Sequence, residues 1–567
     1  MMRVRRGFSL IDVIVGTALM LVVFLALFGL LRASLMLSSL AKAKAAAVEL
    51  ATTQMEYLRG LSYDSIGTIG GIPSGNVPQY ATSTVDGVTY VTRTFIEYYD
   101  DPADGLGAQD RNNVTTDYKI GKVTVSYSMS GVAKSVSLVS NFAPPGIESS
   151  TGGGTLSIHV VDATGVGVNS ASVHIVNDSI SPTVDFTTFT NLDGYAVIGG
   201  AATSSAYQVY VSKSGYSSAQ TYARTSQNAN PNPGYLTVVN DQTTNVTFAI
   251  DLLASLALSS FSPATTTAFA DSFADASGLA VQTDTQVAAG VLMLANQALS
   301  GSARSIPITP SRLDGWGLLS ADITTPVGTR ASIRVDDASG NPLPDSVLPG
   351  NGTGFSVFPI SLTGIATSTY PTLSLEADLL SDSTTTTSSV LDWSLSYTEG
   401  PAPLPDVGFT LTGTKTIGTD SSGTPIYKTT LTDTTGSAST VTESLEWDAY
   451  TLSLGSGTLF ESCPASPYAL SPGEATTTDL IVGTPTTNTL PLLIETTSST
   501  TVPYATVVLT SPNYAATIPA SACGLAYFGG LAAGSYAATV SAPGHATTTF
   551  PGINVSGVTP TQTLVLP

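Results

Sequence analysis

From Val13 to Leu31 no side chain is charged, and Arg32 closes the run. About 18 apolar residues suffice to cross a bilayer core, so this stretch predicts a membrane-spanning helix. The helical pattern continues past it. Between Ser34 and Leu58 there is no proline or glycine, alanines are dense, and Val48, Ala51, Met55 and Leu58 recur at the spacing of one helix face. Arg59-Gly60 is a stop signal. A single helix from Phe8 to Leu58 would be on the order of 75 Å long at the usual rise per residue. Beyond Gly60 the period changes from helical to alternating. The stretches from Tyr90 to Tyr99, Lys122 to Met129 and Val136 to Phe142 read as strands, with Val123, Val125, Tyr127 and Met129 on one face.

Charge adds direction to this picture. Arg3, Arg5 and Arg6 precede the apolar run, which predicts a cytoplasmic N-terminus and an exported C-terminal part. The run exceeds the roughly 7–15 residues of a secretory signal and is closed by no small-residue cleavage site. Arg5-Arg6 stands alone in too short a leader for a twin-arginine signal. Lys and Arg total 20 against 41 Asp and Glu, a net charge of −21, and only 11% of residues are charged. So acidic a chain lacks the basic footprint of a nucleic-acid binder and suits a soluble exported surface. At 567 residues it is several domains long.

Asp12 is the costly residue. A carboxylate inside a membrane helix costs roughly 2.5–3.5 kcal/mol on insertion scales, which makes a functional partner the default reading. The alternative is an acidic residue stabilised by the helix dipole near an N-terminus.

The residues RVRRGFSLIDVIV, from Arg3 to Val15, closely resemble the processing and methylation signal of type IV pilins and pseudopilins. The resemblance implies that a prepilin peptidase cuts after Gly7 and methylates the new N-terminal Phe8. It also implies that Asp12 meets the Phe8 amine of a neighbouring subunit as helices bundle. The family usually carries Glu where this chain has Asp12, one methylene shorter, so the reach across the bundle differs. A plain uncleaved anchor is the competing reading.

Residues 1–7 are then the leader, 8–60 the membrane and assembly helix, and 61–142 a pilin-like β-meander head. Residues 143–154, rich in proline, glycine and serine, form a linker. Two later regions repeat one another: TLSIHVVD, ASVHIV, TNLDGYAVIGG and YQVYVSKSGY recur in order as LPLLIE, YATVVL, SACGLAYFGGL and YAATVSAPGH. Gly194 matches Gly524 and Gly215 matches Gly544, as tight turns require. Residues 155–253 and 486–567 each resemble a carboxypeptidase regulatory-like, transthyretin-like β-sandwich; the likeness transfers a fold and no catalysis. Residues 255–400 weakly resemble jelly-roll modules of the discoidin or lectin-like kind, with Leu391, Trp393, Leu395 and Tyr397 alternating. Residues 404–485 suggest another sandwich, with LEWDAYTLSL as its clearest strand. The predicted fold class is a long helix with an α+β head, followed by tandem all-β sandwiches.

Candidate chemistry is sparse. The loop YYDDPADGLGAQDRNN carries Asp100, Asp101, Asp104 and Asp110, a hard-oxygen set suited to calcium, although a solvated acidic turn is the commoner explanation. Some pseudopilins hold calcium in a comparable loop. No other cofactor is implied. Cys463 and Cys523 both lie in the exported part, where either a disulfide or two separate thiols can stand. His159 and His174 sit on strands that would form a two-histidine metal site if adjacent, or face solvent. Asn113, Asn245, Asn351 and Asn554 fit glycosylation sequons, a frequent chance pattern in a Thr-rich chain. With no HExxH, G-x-S-x-G or phosphate-binding loop, the chain is expected not to be an enzyme.

The expectation is a large minor pilin or pseudopilin-like surface protein, displaying sandwiches for adhesion or spacing. Its expected partners are a prepilin peptidase, other pilin subunits, the membrane before assembly, and a surface glycan or protein ligand. The alternative is a membrane-anchored adhesin outside any filament. Pilus and secretion pseudopilus stay open.

Overall fold

The computed structural model describes residues 10–101, 116–145, 152–484 and 486–567. They divide into two compact units, residues 1–253 with 415–428, and residues 254–414 with 429–567.

In the first unit, helix α1 runs from Leu10 to Arg59 without a break. Its end is capped where Gly60 N donates to Glu56 O at 3.0 Å. The large apolar side chains from Leu10 to Leu37 are exposed, whereas Ala43, Ala47, Ala51, Met55 and Leu58 are buried. Val48, expected on the buried face, is 40% exposed. It lies about 100° round the helix from Ala47, and the packed stripe follows the alanines instead. Those alanines let the helix backbone approach the sheet, so that the Tyr90 hydroxyl donates to Ala43 O at 3.1 Å.

The sheet is an antiparallel meander of β1 (Tyr80–Val85), β2 (Val88–Tyr99), β3 (Tyr118–Met129) and β4 (Val132–Phe142). Asp86-Gly87 and Ser130-Gly131 both turn with positive φ, as two-residue hairpins demand. Tyr90, Ile96, Val123, Val125 and Tyr127 form the core with the helix. Gly121 makes room there, since a Cβ would meet the Phe142 ring at 2.8 Å.

The first sandwich follows directly. Gly154, expected to end the linker, is already the first residue of β5 (Gly154–Val161). Then come β6 (Ser172–Asn177), β7 (Val184–Phe189), β8 (Tyr195–Ala201) and β9 (Ser204–Ser212). β5 lies between β8 and the parallel strand Thr243–Ala249; β6 lies between β7 and β9 in the facing sheet. The head packs on this sandwich: Asp185 N donates to Gly70 O at 2.8 Å, and Ile72 enters the sandwich core. The hairpin of Thr416–Thr419 and Pro425–Tyr427 completes the unit by pairing with Asn230–Pro231.

In the second unit, strand Ala254–Ser262 pairs in parallel with Ala475–Gly483 and antiparallel with Thr440–Leu445. It therefore belongs to the sandwich expected at 404–485, and residues 265–399 form a body of two antiparallel sheets inserted between its strands. Trp316, Trp393 and Phe273 are fully buried in that body. Leu391 does not share their face. A bulge opposite Asp322 and Ile323 puts Val390 in the core and leaves Leu391 half-buried. LEWDAYTLSL is likewise two strands, because the chain changes sheet between Thr440–Leu445 and Asp448–Leu454.

The last sandwich, from Thr489–Thr496 to Gln562–Leu566, repeats seven strands of the first in the same pairing order, including the parallel pair between those two strands, and lacks a counterpart of Leu236–Val238. Gly194 and Gly524 have φ of +83° and +79°, and Gly215 and Gly544 have +78° and +82°.

Candidate functional site

The apolar helix is one candidate. Among the described residues it alone is long and apolar enough to cross a membrane, with a window of mean hydropathy 2.8 and none of that window buried. Its two halves differ in kind: residues 10–37 present apolar side chains to the outside, and residues 43–58 pack on the head. Asp12 is the third residue of α1, while Gly7 and Phe8 lie outside the described residues.

The acidic loop is a second candidate. Asp100 and Asp101 follow β2, and Asp104 and Asp110 lie outside the described residues. The Asp101 backbone N donates to Asp117 Oδ2 at 2.5 Å. Asp117, just before β3, is only 1% exposed and lies outside the acidic run; the pairing of β2 with β3 brings it there. Among the described residues no group of three His, Cys, Asp or Glu side chains could hold a metal ion.

Beside Asp100 a cleft of about 650 Å³ opens between the head and the first sandwich. Phe95, Tyr99, Phe189 and Tyr195 line it together with Glu97 and Lys122. Loss of water pushes Glu97 up to about 7, opposed by the Lys122 charge. Arg93 donates to Thr187 O and lies 5.3 Å from the Phe95 and Phe189 ring centroids. His159 stacks on Tyr195 at 4.0 Å. His174 is elsewhere, on β6 in the facing sheet, 2.7 Å from Asp185. The two histidines therefore form no common site. Their neighbouring positions in sequence conceal that β5 and β6 belong to different layers.

Cys463 and Cys523 are joined in a disulfide with Cα atoms 5.7 Å apart, linking strand Thr458–Cys463 to the turn before Leu525–Gly529 of the last sandwich. Asn351 is fully buried and donates to Val335 O and Leu343 O, which removes it as a glycosylation site.

No family model matches the chain, and no characterised protein matches it in sequence. Among solved structures it is similar to the Bacillus anthracis TIE protein at 10% identity, over 87% of this chain and 74% of that one, with a TM-score of 0.15. It is also similar to BcpA, the major pilin subunit of Bacillus cereus, at 9% identity over 73% and 99%, with a TM-score of 0.13. The shaft pilin SpaA from Lactobacillus rhamnosus GG matches at 13% identity over 30% and 89%, with a TM-score of 0.12. TM-scores this low carry no argument about function.

Proposed function

We propose that this chain is a large minor pilin or pseudopilin-like surface protein. A prepilin peptidase would cut after Gly7 and methylate Phe8, and the helix would then enter or cap a filament. The observation that carries this reading is the divided helix behind the Gly7-Phe8 junction. Residues 10–37 keep their large apolar side chains exposed, so this half needs lipid first and other helices later. Asp12 is the residue we assign to pairing with the Phe8 amine of a neighbour, because an unpaired carboxylate in that environment is costly.

The acidic run Asp100, Asp101, Asp104 and Asp110 stays a candidate for calcium beside the commoner reading of a solvated turn, and the sandwiches are read as spacers or adhesive modules. A membrane-anchored adhesin outside any filament is the second reading, favoured by the aromatic cleft beside the head. Co-purification separates them. In cells that build the filament, the intact chain should appear in the sheared filament fraction and Asp12→Ala should not. Equal recovery of both would overturn the assembly role of Asp12, and absence of the intact chain would favour the second reading.

A further inference from the structure

The cleft of about 650 Å³ between the head and the first sandwich is walled by the outward faces of strands. On β2, alternation sends Tyr90 and Ile96 to the helix and leaves Arg93, Phe95, Glu97 and Tyr99 on the opposite side. Lys122 joins them from β3, where it pairs with Phe95. On β8, Ala196 and Ile198 enter the sandwich core, and Tyr195 and Val197 line the cleft.

The outward side of an antiparallel strand ordinarily carries polar residues, yet rings gather here. Phe189 is 50% exposed, Tyr195 40% and Tyr99 38%. Two contacts hold these rings. His159 stacks on Tyr195 within 3° of parallel. The Arg93 guanidinium lies over both Phe95 and Phe189 while donating to Thr187 O. Rings that meet water and are already oriented make a surface prepared for a ligand.

Charge narrows the kind of ligand. Among the described residues the lining carries two cations, Arg93 and Lys122, and two carboxylates, Glu97 and Asp100. These cancel, so an ionic ligand of either sign would meet a like-charged pair. A wholly apolar ligand fits no better, because it would strip water from Glu97 and Lys122 and return no hydrogen bond. A neutral molecule with an apolar C–H face and hydroxyls round its edge satisfies both walls, and a sugar ring has that form. The volume lies in the roughly 300–1,000 Å³ range of small-ligand sites. β2 is flanked by β1 and β3, so its wall offers no free edge to an extended peptide.

We propose that this cleft binds a neutral oligosaccharide, with sugar rings on Tyr195 and Phe189 and hydroxyls on Glu97 and Lys122. The inference rests on the adhesive role read for the modules and not on filament entry.

Saturation-transfer NMR and calorimetric titration of the full chain test it, in polyoxyethylene micelles, which carry no sugar. Maltotriose, cellotriose and chitotriose are the probes, with sialyllactose and benzyl alcohol as comparisons. At least one neutral trisaccharide should bind saturably at millimolar concentration, and more tightly than either comparison. Tyr195→Ala should weaken it about tenfold, whereas Tyr195→Phe, which keeps the ring, should stay within about twofold. Phe189 is half-exposed, so Phe189→Ala keeps the fold and should weaken binding severalfold even if Tyr195→Ala misfolds. Failure of all three trisaccharides to bind would overturn the proposal, and so would binding that both alanine variants leave unchanged. Tighter binding of sialyllactose would contradict a neutral ligand, and tighter binding of benzyl alcohol would reduce the site to an apolar cleft. Processing at Phe8 is read separately from the N-terminal peptide, so this inference and the pilin reading fail independently.

Discussion

The sandwich of residues 154–249 and that of residues 489–566 pair their strands in the same order, yet one turn fastens them differently. In the first, Asn191 Oδ1 accepts from Asp193 N at 3.0 Å and Tyr195 N at 2.8 Å. In the last, Ser521 Oγ accepts from Cys523 N at 3.1 Å and Leu525 N at 3.3 Å. The glycine that follows, Gly194 or Gly524, has positive φ in both. Cys523 thus stands where the first copy has the exposed Asp193, and the same turn that meets solvent in one copy holds a cross-link in the other. Glycines and alternating apolar residues carry the shared topology, whereas single turn residues carry the attachments.

The cross-link gives the largest expected asymmetry. Replacing Cys463 and Cys523 together by Ser should lower the stability of the last sandwich by ~4 kcal/mol on the chain-entropy account of a 60-residue loop. Hydrogen exchange should show faster opening there and no change in the first copy. Similar effects in both would mean that the disulfide does not act locally.

The glycines come next. A Cβ on Gly194 would meet Val160 O at 2.3 Å, and one on Gly524 would meet Ile494 O at 2.9 Å. Both would also adopt a left-handed backbone. Gly194→Ala should therefore cost ~3 kcal/mol and Gly524→Ala about 1 kcal/mol less, read from urea unfolding. Equal losses would show that the tighter approach in the first copy is relieved by a small shift.

The first copy lies beside Glu97 across the cleft, which makes the head beside it sensitive to pH. Glu97 is raised to about 7 from 4.5 by loss of water. Its protonated form is therefore favoured by folding, so its contribution is fully present below about pH 4.5 and is lost as pH rises through 7. Glu97→Gln should raise the stability of the head by ~2 kcal/mol at pH 8, allowing for its partial solvation, and leave it unchanged at pH 4. The amides of β2 report this by hydrogen exchange. A gain independent of pH would contradict the burial argument.

The smallest effect should be shared. Tyr207 donates to Ala202 O and Tyr536 to Ala532 O, each at 2.9 Å. Tyr→Phe should cost ~1 kcal/mol at either position. A large difference between them would break the equivalence of the two copies.

Much of this was legible in the chain because it is local. The helix, the strands of the head and the paired glycines each announce themselves within a short window of sequence. What stayed hidden depends on distant partners. The strand Ala254–Ser262 looks like the start of the jelly-roll until Ala475–Gly483 pairs with it. Leu391 fits an alternating face until the bulge at its partner strand turns it away. The hairpin of Thr416–Thr419 and Pro425–Tyr427 carries no signal of its pairing with Asn230–Pro231, because a two-residue ladder has no hydrophobic pattern. Of the candidate sites, Asp12 and the Gly7-Phe8 junction rest on a resemblance in sequence alone. Asp117 and Glu97 gain their character only from burial, which alternation does not reveal.

The central claim is that the apolar helix is handled as a pilin helix, and the mass of its N-terminal peptide tests that most directly. Chain recovered from cells containing a prepilin peptidase should begin at Phe8 and carry one N-methyl group. A peptide beginning at Met1, unmodified, would contradict the claim and leave a plain membrane anchor.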